Sequence, residues 1–479
     1  MEVLQRTANR GSISTALYEV DNSVKLDKGN DTTTVEFFER TVSSSGNRDV
    51  GTFSAWIKKT DVSTAQYLFT FGNTDNDNGR TFARFQTDGT LRIGGGTSVW
   101  RNTDRKFRDT SAWYHIVIAF DTTQSTANDR IKLYINGVQE TSFSTTNNPS
   151  QNDDLGLAFE KQAIGYNTVD NNSGFNGYMS EVVIQDGVAS APTEFGKFDS
   201  DTGIWIPKDA SDATMGTNGS YLKFENAASM GAASAGNAFT VQNINQNDQS
   251  TDTPTNNFCT WNPLVTNAGV FTYTEGATKW KPSSGNWQTT TASMGFTKGK
   301  WYAEFKMDGD VTSAMVGVQQ LENDTTYDGY YLGYHTNTTS MGMGYYNADG
   351  NVYRNGGNTT YGASFPSSVL VGVALEFKDD GTANMYVAKD NVWQNSGDPA
   401  NGTNGFALNY GNAVDDSGFF SFASSLYQNP GYWQANFGSY TTISISSAAS
   451  DANGYGTFEY APPTGYYALC TKNLSEFGG

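Results

Sequence analysis

The sequence predicts an all-β protein made of two tandem antiparallel β-sandwich (jelly-roll) domains, and three observations carry that expectation. Apolar residues alternate with period two in segment after segment, and no stretch longer than about ten residues keeps a helical period. Aromatic residues are abundant at 14% and charged ones sparse at 16%, with Gly, Asn, Ser and Thr filling much of the rest. A helical chain would need more Ala, Leu, Glu and Lys. The length of 479 residues exceeds one ordinary core, which points to two domains of about 200 residues each.

Taken in order, residues 1–13 are polar and free of strong structural signals, as expected of an attachment segment. The first strand pattern follows in "YEVDNSVKL" (18–26). In "SAWYHIVIAFDTT" (111–123), alternation puts Trp113, His115, Val117 and Ala119 on one face and Tyr114, Ile116, Ile118 and Phe120 on the other. A strand apolar on both sides lies centrally, so His115 is expected to be a hydrogen-bonded structural residue. In "DRIKLYINGVQE" (129–140), Ile131, Leu133 and Ile135 share a face, and Asn136-Gly137 is the signal for a type I′ hairpin turn. Such units fill residues 14–225, the first sandwich. Residues 226–256, low in charge and rich in Ala, Gly, Asn, Gln, Ser and Thr, read as a connector, although their Ala-Ser-Gly portion also suits a short helix or a strand of either sandwich. Strand patterns resume over 257–479, notably in "VGVALEFKDDGTANMYVAKD" (371–390), where two alternating runs flank the turn "DDGT". The halves do not align as a repeat, so two different modules are expected.

Charge and composition narrow the function. A formal net charge of −19 with no run of Lys or Arg argues against binding nucleic acid. It also argues against attraction to anionic membranes or polyanionic glycans, unless divalent cations bridge the like charges. Cys259 and Cys470 are too few and too distant for a disulfide framework or a zinc site, and read as free, buried thiols. The start "MEVLQRTANRG" has no apolar signal-peptide core, and no run approaches the ~18 apolar residues of a membrane span, so synthesis in the cytoplasm without membrane insertion is expected.

Catalytic patterns are weak. The Glu-x-Asp-x-x-Glu strand of jelly-roll glycosidases has its nearest counterpart in "EVDNSV" (19–24), which lacks the last carboxylate, although carboxylates paired from separate strands would leave no positional signal. Only His115 and His335 could serve a nucleophile, and no Gly-x-Ser-x-Gly elbow accompanies them. "MGFTKGKW" (294–301) lacks phosphate-loop spacing. No catalytic residue and no organic cofactor is therefore expected. Calcium is the one candidate ion, since Asx oxygens in turns suit it: "GNTDNDNGR" (72–80) clusters Asp75, Asp77 and Asn78. Its Gly falls one place late for an EF-hand and no bidentate Glu follows, so a tight Asx turn explains the same residues. Aromatic clusters at Trp100, Tyr166 and Tyr178, in "YDGYYLGYH" (327–335) and "MGYYNADGNVYR" (343–354), and at Trp433 suit neutral sugars, whose C–H faces stack on rings. They equally suit cores and protein interfaces.

The segments "FSAWIKKT" (53–60), "WYHIVIAFDTT" (113–123), "DRIKLYINGVQETS" (129–142) and "FNGYMSEVVIQDGV" (175–188) resemble, in order and spacing, the laminin-G-like, concanavalin-A-like jelly rolls. The segments "GKWYAEFKM" (299–307), "MVGVQQ" (315–320), "VLVGVALEFKDDGTANMYV" (369–387), "YWQANFG" (432–438) and "PPTGYYAL" (462–469) resemble the SPRY family of β-sandwich interaction domains, with "AKDNVW" (388–393) in place of its usual Asn-Gly turn. The tandem as a whole, with "ATMGTNGSYLKF" (213–224), "TDTPTNNF" (251–258) and "LCTKNLSEF" (469–477), looks like lectin-like structural proteins of tailed bacteriophages. That resemblance implies a non-enzymatic virion component, such as a tail fibre, receptor-binding or decoration protein, attaching to host-surface glycan or protein. It further implies a homo-oligomer, with a trimer favoured, contacting other virion proteins. A purely structural decoration protein is the alternative, and a glycan depolymerase is less favoured.

Overall fold

The computed structural model describes residues 18–29, 34–72, 79–158, 160–167, 173–265, 271–283, 285–321, 329–334, 341–409, 418–427 and 431–478. The attachment segment 1–13, the calcium candidates Asp75, Asp77 and Asn78, and His335 lie outside them.

The chain divides into two units, one spanning Ser14–Asn256 and the other built on Asn257–Gly479. In the first, one sheet runs in the order Val138–Gln139, Ile131–Ile135, Trp113–Asp121, Val50–Lys59, Gly177–Asp186, Ser23–Leu26 and Gln249–Ser250, and Gly177–Asp186 also pairs with Ser220–Leu222. The other runs Phe143–Thr146, Ser98–Lys106, Thr90–Gly95, Thr81–Phe85, Gln66–Gly72, Lys161–Ile164, Phe37–Thr41 and Thr240–Gln242. Their inner faces supply one core, in which Phe53, Ile116, Ile118 and Met179 of the first sheet meet Leu68, Phe69, Phe85 and Ile93 of the second. Phe53 and Phe69 touch across it with ring centroids 4.5 Å apart. The turn at Asn136-Gly137 has φ of 48° and 78°, the pair of left-handed conformations that a type I′ hairpin requires.

The segment 226–256 is not a free connector. Ala235–Gly236 pairs with Ser220–Leu222, Thr240–Gln242 extends the second sheet through Phe37–Thr41, and Gln249–Ser250 pairs with Ser23–Leu26. The physical reason is charge as well as pairing. Asp248 sits 3.0 Å from the buried Lys25 ammonium, and Asp252 lies 2.6 Å from that of Lys58, with both members of the second pair fully buried. Asp252 also accepts from Trp113 Nε1 at 3.0 Å. Buried ammonium groups need such partners, and this segment supplies them.

The second unit is also a sandwich. One sheet runs Phe271–Thr274, Lys279–Pro282, Tyr432–Asn436, Gly299–Asp308, Leu370–Phe377, Thr382–Lys389 and Val392–Trp393. Tyr467–Ala468 joins it in parallel beside Gly299–Asp308, and Phe406–Asn409 pairs with Thr382–Lys389. The opposing sheet runs Trp287–Thr291, Phe420–Tyr427, Ala314–Gln320, Gly342–Tyr346, Asn351–Arg354 and Gly357–Thr360. Trp261, Trp280, Trp301 and Trp433 are fully buried in the core between them. At the departure from the usual Asn-Gly turn, Asp390 and Asn391 have φ of 44° and 66°, so two Asx residues adopt the same left-handed pair, and Asp390 Oδ1 accepts from Leu370 N at 2.9 Å. A short helix, Thr471–Phe477, closes the described chain. Among the described residues no helix is long and apolar enough to cross a membrane.

Candidate binding surface

His115 occupies a buried aromatic box. Its ring stacks on Trp56 at 4.8 Å and on Trp205 at 5.9 Å. Trp205 Nε1 donates to Nδ1 at 2.9 Å, which leaves the ring proton on Nε2 to be donated to Ser54 Oγ, also at 2.9 Å. Burial pushes the imidazole down to about 3, so the neutral ring is fixed as a two-sided strut. Cys259 and Cys470 are both buried, as expected.

Among the described residues, two carboxyl groups stand above the ordinary range, one in each unit. Glu304 is fully buried, and its two oxygens take four donors: Tyr460 N at 2.8 Å and the Tyr302 hydroxyl at 3.2 Å on one, Glu459 N at 2.9 Å and Asn436 Nδ2 at 3.0 Å on the other. Burial raises it despite these bonds, which tie the 459–460 segment to strand Gly299–Asp308. Glu181 lies at a register shift within Gly177–Asp186, in a left-handed conformation with φ of 50°. It accepts hydrogen bonds from the Tyr221 hydroxyl and, at 2.7 Å, from that of Tyr18. Burial raises it to about 7 against the opposing effect of those two bonds. Each carboxylate is enclosed by its own donors, an arrangement that holds backbone in place.

The aromatic candidates separate by burial. Trp100, Tyr166, Tyr178 and Trp433 are buried, so the structure removes them as sugar platforms. Trp433 Nε1, for instance, donates to Ser425 O at 3.1 Å inside the core. The other cluster lies on the outer face of the six-stranded sheet. Strand pairing places Tyr346 opposite Met315, Tyr353 opposite Gly344 and Trp287 opposite Tyr427, all on that face. The segment 329–334 crosses over them and is held at four points: Gly329 N to Trp287 O at 2.9 Å, Thr289 Oγ1 to Tyr330 O at 2.9 Å, Leu332 N to Ser425 Oγ at 2.9 Å, and Gly356 N to Gly333 O at 2.8 Å. Gly333 has φ of +82°, and a Cβ there would lie 2.1 Å from Tyr353 O, so only glycine allows this close crossing.

The result is a continuous aromatic surface. Trp287 meets Tyr331, Tyr346 and Tyr427 at 5.5, 5.9 and 5.6 Å, and Tyr353 meets Tyr331 and Tyr346 at 5.5 and 5.6 Å. Tyr330 and Tyr334 lie 4.6 Å apart, and Tyr334 is 42% exposed. These rings cap a small satellite cluster of Met315, Leu332 and Ala423, separate from the main core. Their polar tips are positioned too: the Tyr353 hydroxyl donates to Asp349 Oδ2 at 3.0 Å, and the Tyr346 hydroxyl pairs with Ser313 Oγ at 3.1 Å. Burial and the Asp349 bond push the Tyr353 phenol up to about 12, so it stays neutral at physiological pH. Trp287 and Tyr427, missed in the sequence as members of this cluster, are brought in by cross-strand pairing. Half-exposed rings with fixed hydroxyls and no lysine or arginine among them can stack on a neutral, hydroxyl-rich ligand and hydrogen-bond its edge.

The geometry defines a two-sandwich protein with a solvent-facing aromatic surface, and comparison with known proteins sharpens the first half. Residues 27–193 match a laminin-G-type family model described as the concanavalin A-like lectin/glucanases superfamily. No curated protein matches the chain by sequence. Similar solved structures include a human SPRY domain, at 13% identity and a TM-score of 0.26, covering 34% of this chain and 95% of that one. A heptameric SAP-like pentraxin from Limulus polyphemus is similar at 15% identity and a TM-score of 0.28, covering 36% and 80%. A putative carbohydrate binding protein from Bacteroides ovatus is similar at 15% identity and a TM-score of 0.31, covering 47% and 60%. The fold assignment rests on the strand pairing described above.

Proposed function

We propose that this chain is a non-enzymatic virion protein of a tailed bacteriophage that attaches to host-surface glycan or protein through its β-sandwich modules. The observation that carries the binding role is the aromatic surface around Trp287, Tyr331, Tyr334, Tyr346 and Tyr353. The lectin-type family match over residues 27–193 supports it, and the resemblance of the tandem to phage structural proteins supports the virion setting. A homo-oligomer, with a trimer favoured, suits such a role, because symmetric repetition of weak contacts raises avidity by ~10²–10⁴ without new chemistry. Residues 1–13 are the proposed attachment to other virion proteins.

The test uses the purified full chain. Binding to host cells and blocking of infection are the expected outcomes, and Tyr331→Ala with Tyr334→Ala is expected to weaken both by about tenfold or more while leaving the melting temperature of the fold nearly unchanged. Absence of cell binding and of infection blocking at saturating concentration would return the chain to a purely structural role. Release of reducing ends from host polysaccharide would make it a depolymerase.

A further inference from the structure

The stretch of chain that forms three adjoining strands of the eight-stranded sheet in the first unit carries charge of the opposite sign to the chain as a whole. Residues 80–108 hold seven basic side chains against two acidic ones, in a protein of net charge −19. Two of them, Arg84 and Arg92, stand directly opposite one another on neighbouring strands. Side chains so paired have Cβ atoms about 5 Å apart, and like charges there destabilise a sheet. Neither guanidinium meets a carboxylate among the described residues. Arg84 Nη1 donates to the Tyr67 hydroxyl at 2.9 Å and lies over the Tyr67 and Phe82 rings at 5.2 and 5.8 Å. Arg92 Nε reaches Asn102 Oδ1 at 3.4 Å, and the Gln86 amide oxygen, in the orientation that satisfies both groups, accepts from its guanidinium. Every one of these partners is neutral.

The surroundings extend the pattern. Lys106 pairs in register with Thr90 at the end of the adjoining strands and is exposed. The nearby carboxylate, Asp88, is occupied by the turn, accepting from Thr90 N at 3.0 Å and Thr90 Oγ1 at 2.7 Å. Beyond Arg92 the face continues through Asn102 to Ser144, linked at 2.9 Å, a row of amide and hydroxyl groups. Half-buried guanidinium groups braced by neutral acceptors keep their forks aimed, and the Asp88 carboxylate that acts on Arg92 offsets only part of the charge that Arg84 and Arg92 place side by side. That combination fits an oxyanion, which two arginines can grip with parallel hydrogen bonds.

We propose that Arg84 and Arg92 form an anion-binding site for the oxyanionic group of an acidic saccharide, with Asn102 and Ser144 meeting its hydroxyl groups. The saccharide part of this proposal rests on the glycan-binding reading above, and the site is separate from the aromatic surface. A uronate carboxylate and a sulfate ester share the required chemistry.

The experiment measures binding of the full chain to oligogalacturonate, dextran sulfate and neutral dextran, at low and at physiological ionic strength. At least one of the two acidic ligands is expected to bind, more weakly as salt rises. Arg92→Gln is expected to weaken it about tenfold, and Arg84→Gln with Arg92→Gln to abolish it, while Arg92→Lys, which keeps the charge and loses the fork, falls between. Oligogalacturonate bound in preference assigns a carboxylate, and dextran sulfate in preference assigns a sulfate. Acidic-ligand binding that survives the double substitution, or no acidic binding at all, overturns the proposal. Binding that survives Arg84→Gln with Arg92→Gln but is lost in Tyr331→Ala with Tyr334→Ala overturns this site alone and leaves the glycan-binding reading intact. Loss of every carbohydrate and cell interaction in the unaltered protein removes both. Thermal melts of each variant separate lost binding from lost folding.

Discussion

Replacing Glu181 by Gln tests how the first unit responds to pH. The carboxyl is buried between the Tyr18 and Tyr221 hydroxyls at a bulge, and burial raises it to about 7. In the unfolded chain a glutamate releases its proton near its ordinary value of 4.5. Between those two values the folded state still holds a proton that the unfolded state has lost, so stability falls as pH rises and the loss is complete above 7. A difference of about 2.5 units at about 1.4 kcal/mol each amounts to about 3 kcal/mol. Gln does not titrate, so Glu181→Gln removes this slope; every other carboxyl is common to both proteins and cancels in the comparison. Lys223 and Asp209, which also act on Glu181, remain in place. Because the two units need not unfold together, the assay is urea-dependent hydrogen exchange of peptides from strand Gly177–Asp186 at pH 5 and pH 8. Part of that loss has already occurred by pH 5, so the unaltered protein is expected to lose about 2–3 kcal/mol more than the variant over that interval. Equal losses would show that Glu181 is ionised in the fold and that burial does not dominate its environment.

Two further predictions concern groups the fold encloses. Glu304→Gln, close to isosteric, turns one acceptor oxygen into a donor facing two donors, and is expected to cost the second unit about 2–4 kcal/mol in denaturant titrations; no change would mean that the 459–460 segment is held by other contacts. The His115 ring is expected to show no titration by NMR from pH 5 to 8, with its imidazole near 3 in the fold, so stability falls once the pH drops below about 6.5, where the unfolded histidine takes up a proton the folded one refuses. A midpoint near 6.5 would contradict the Trp56–Trp205 box.

What was legible in the sequence is what depends on neighbours along the chain. Alternation placed Ile116, Ile118 and Phe120 on one face and His115 on the other, and the core contains the first three while Trp205 and Ser54 hold the fourth. Asn136-Gly137 announced its turn because both residues favour left-handed backbone. The segment 226–256 was illegible for a physical reason: its strands are two or three residues long, too short for any period, and its key groups, Asp248 and Asp252, matter through lysines more than 190 residues earlier. The aromatic surface was half legible. Period two sorts Tyr345 from Tyr346, yet it does not say which face a second layer covers. That choice is made by the 329–334 crossing and by strand pairing that brings Trp287 beside Tyr427.

The same distinction governs charge. A total of −19 describes the field far from the molecule, which sets solubility and long-range encounter. A bound group responds to charges within about 8 Å at physiological ionic strength, because farther ones on the surface are screened. At that range Arg84, Arg92 and Lys106, with Asp88 as the carboxylate beside them, count for more than carboxylates spread over the rest of the chain. With the proposed arginine site, the expectation that an acidic protein avoids acidic glycans would hold for approach and not for contact. Approach would be slowed by the whole chain while the grip is set locally, so an acidic ligand of this protein should associate slowly at low salt and dissociate according to the arginine pair.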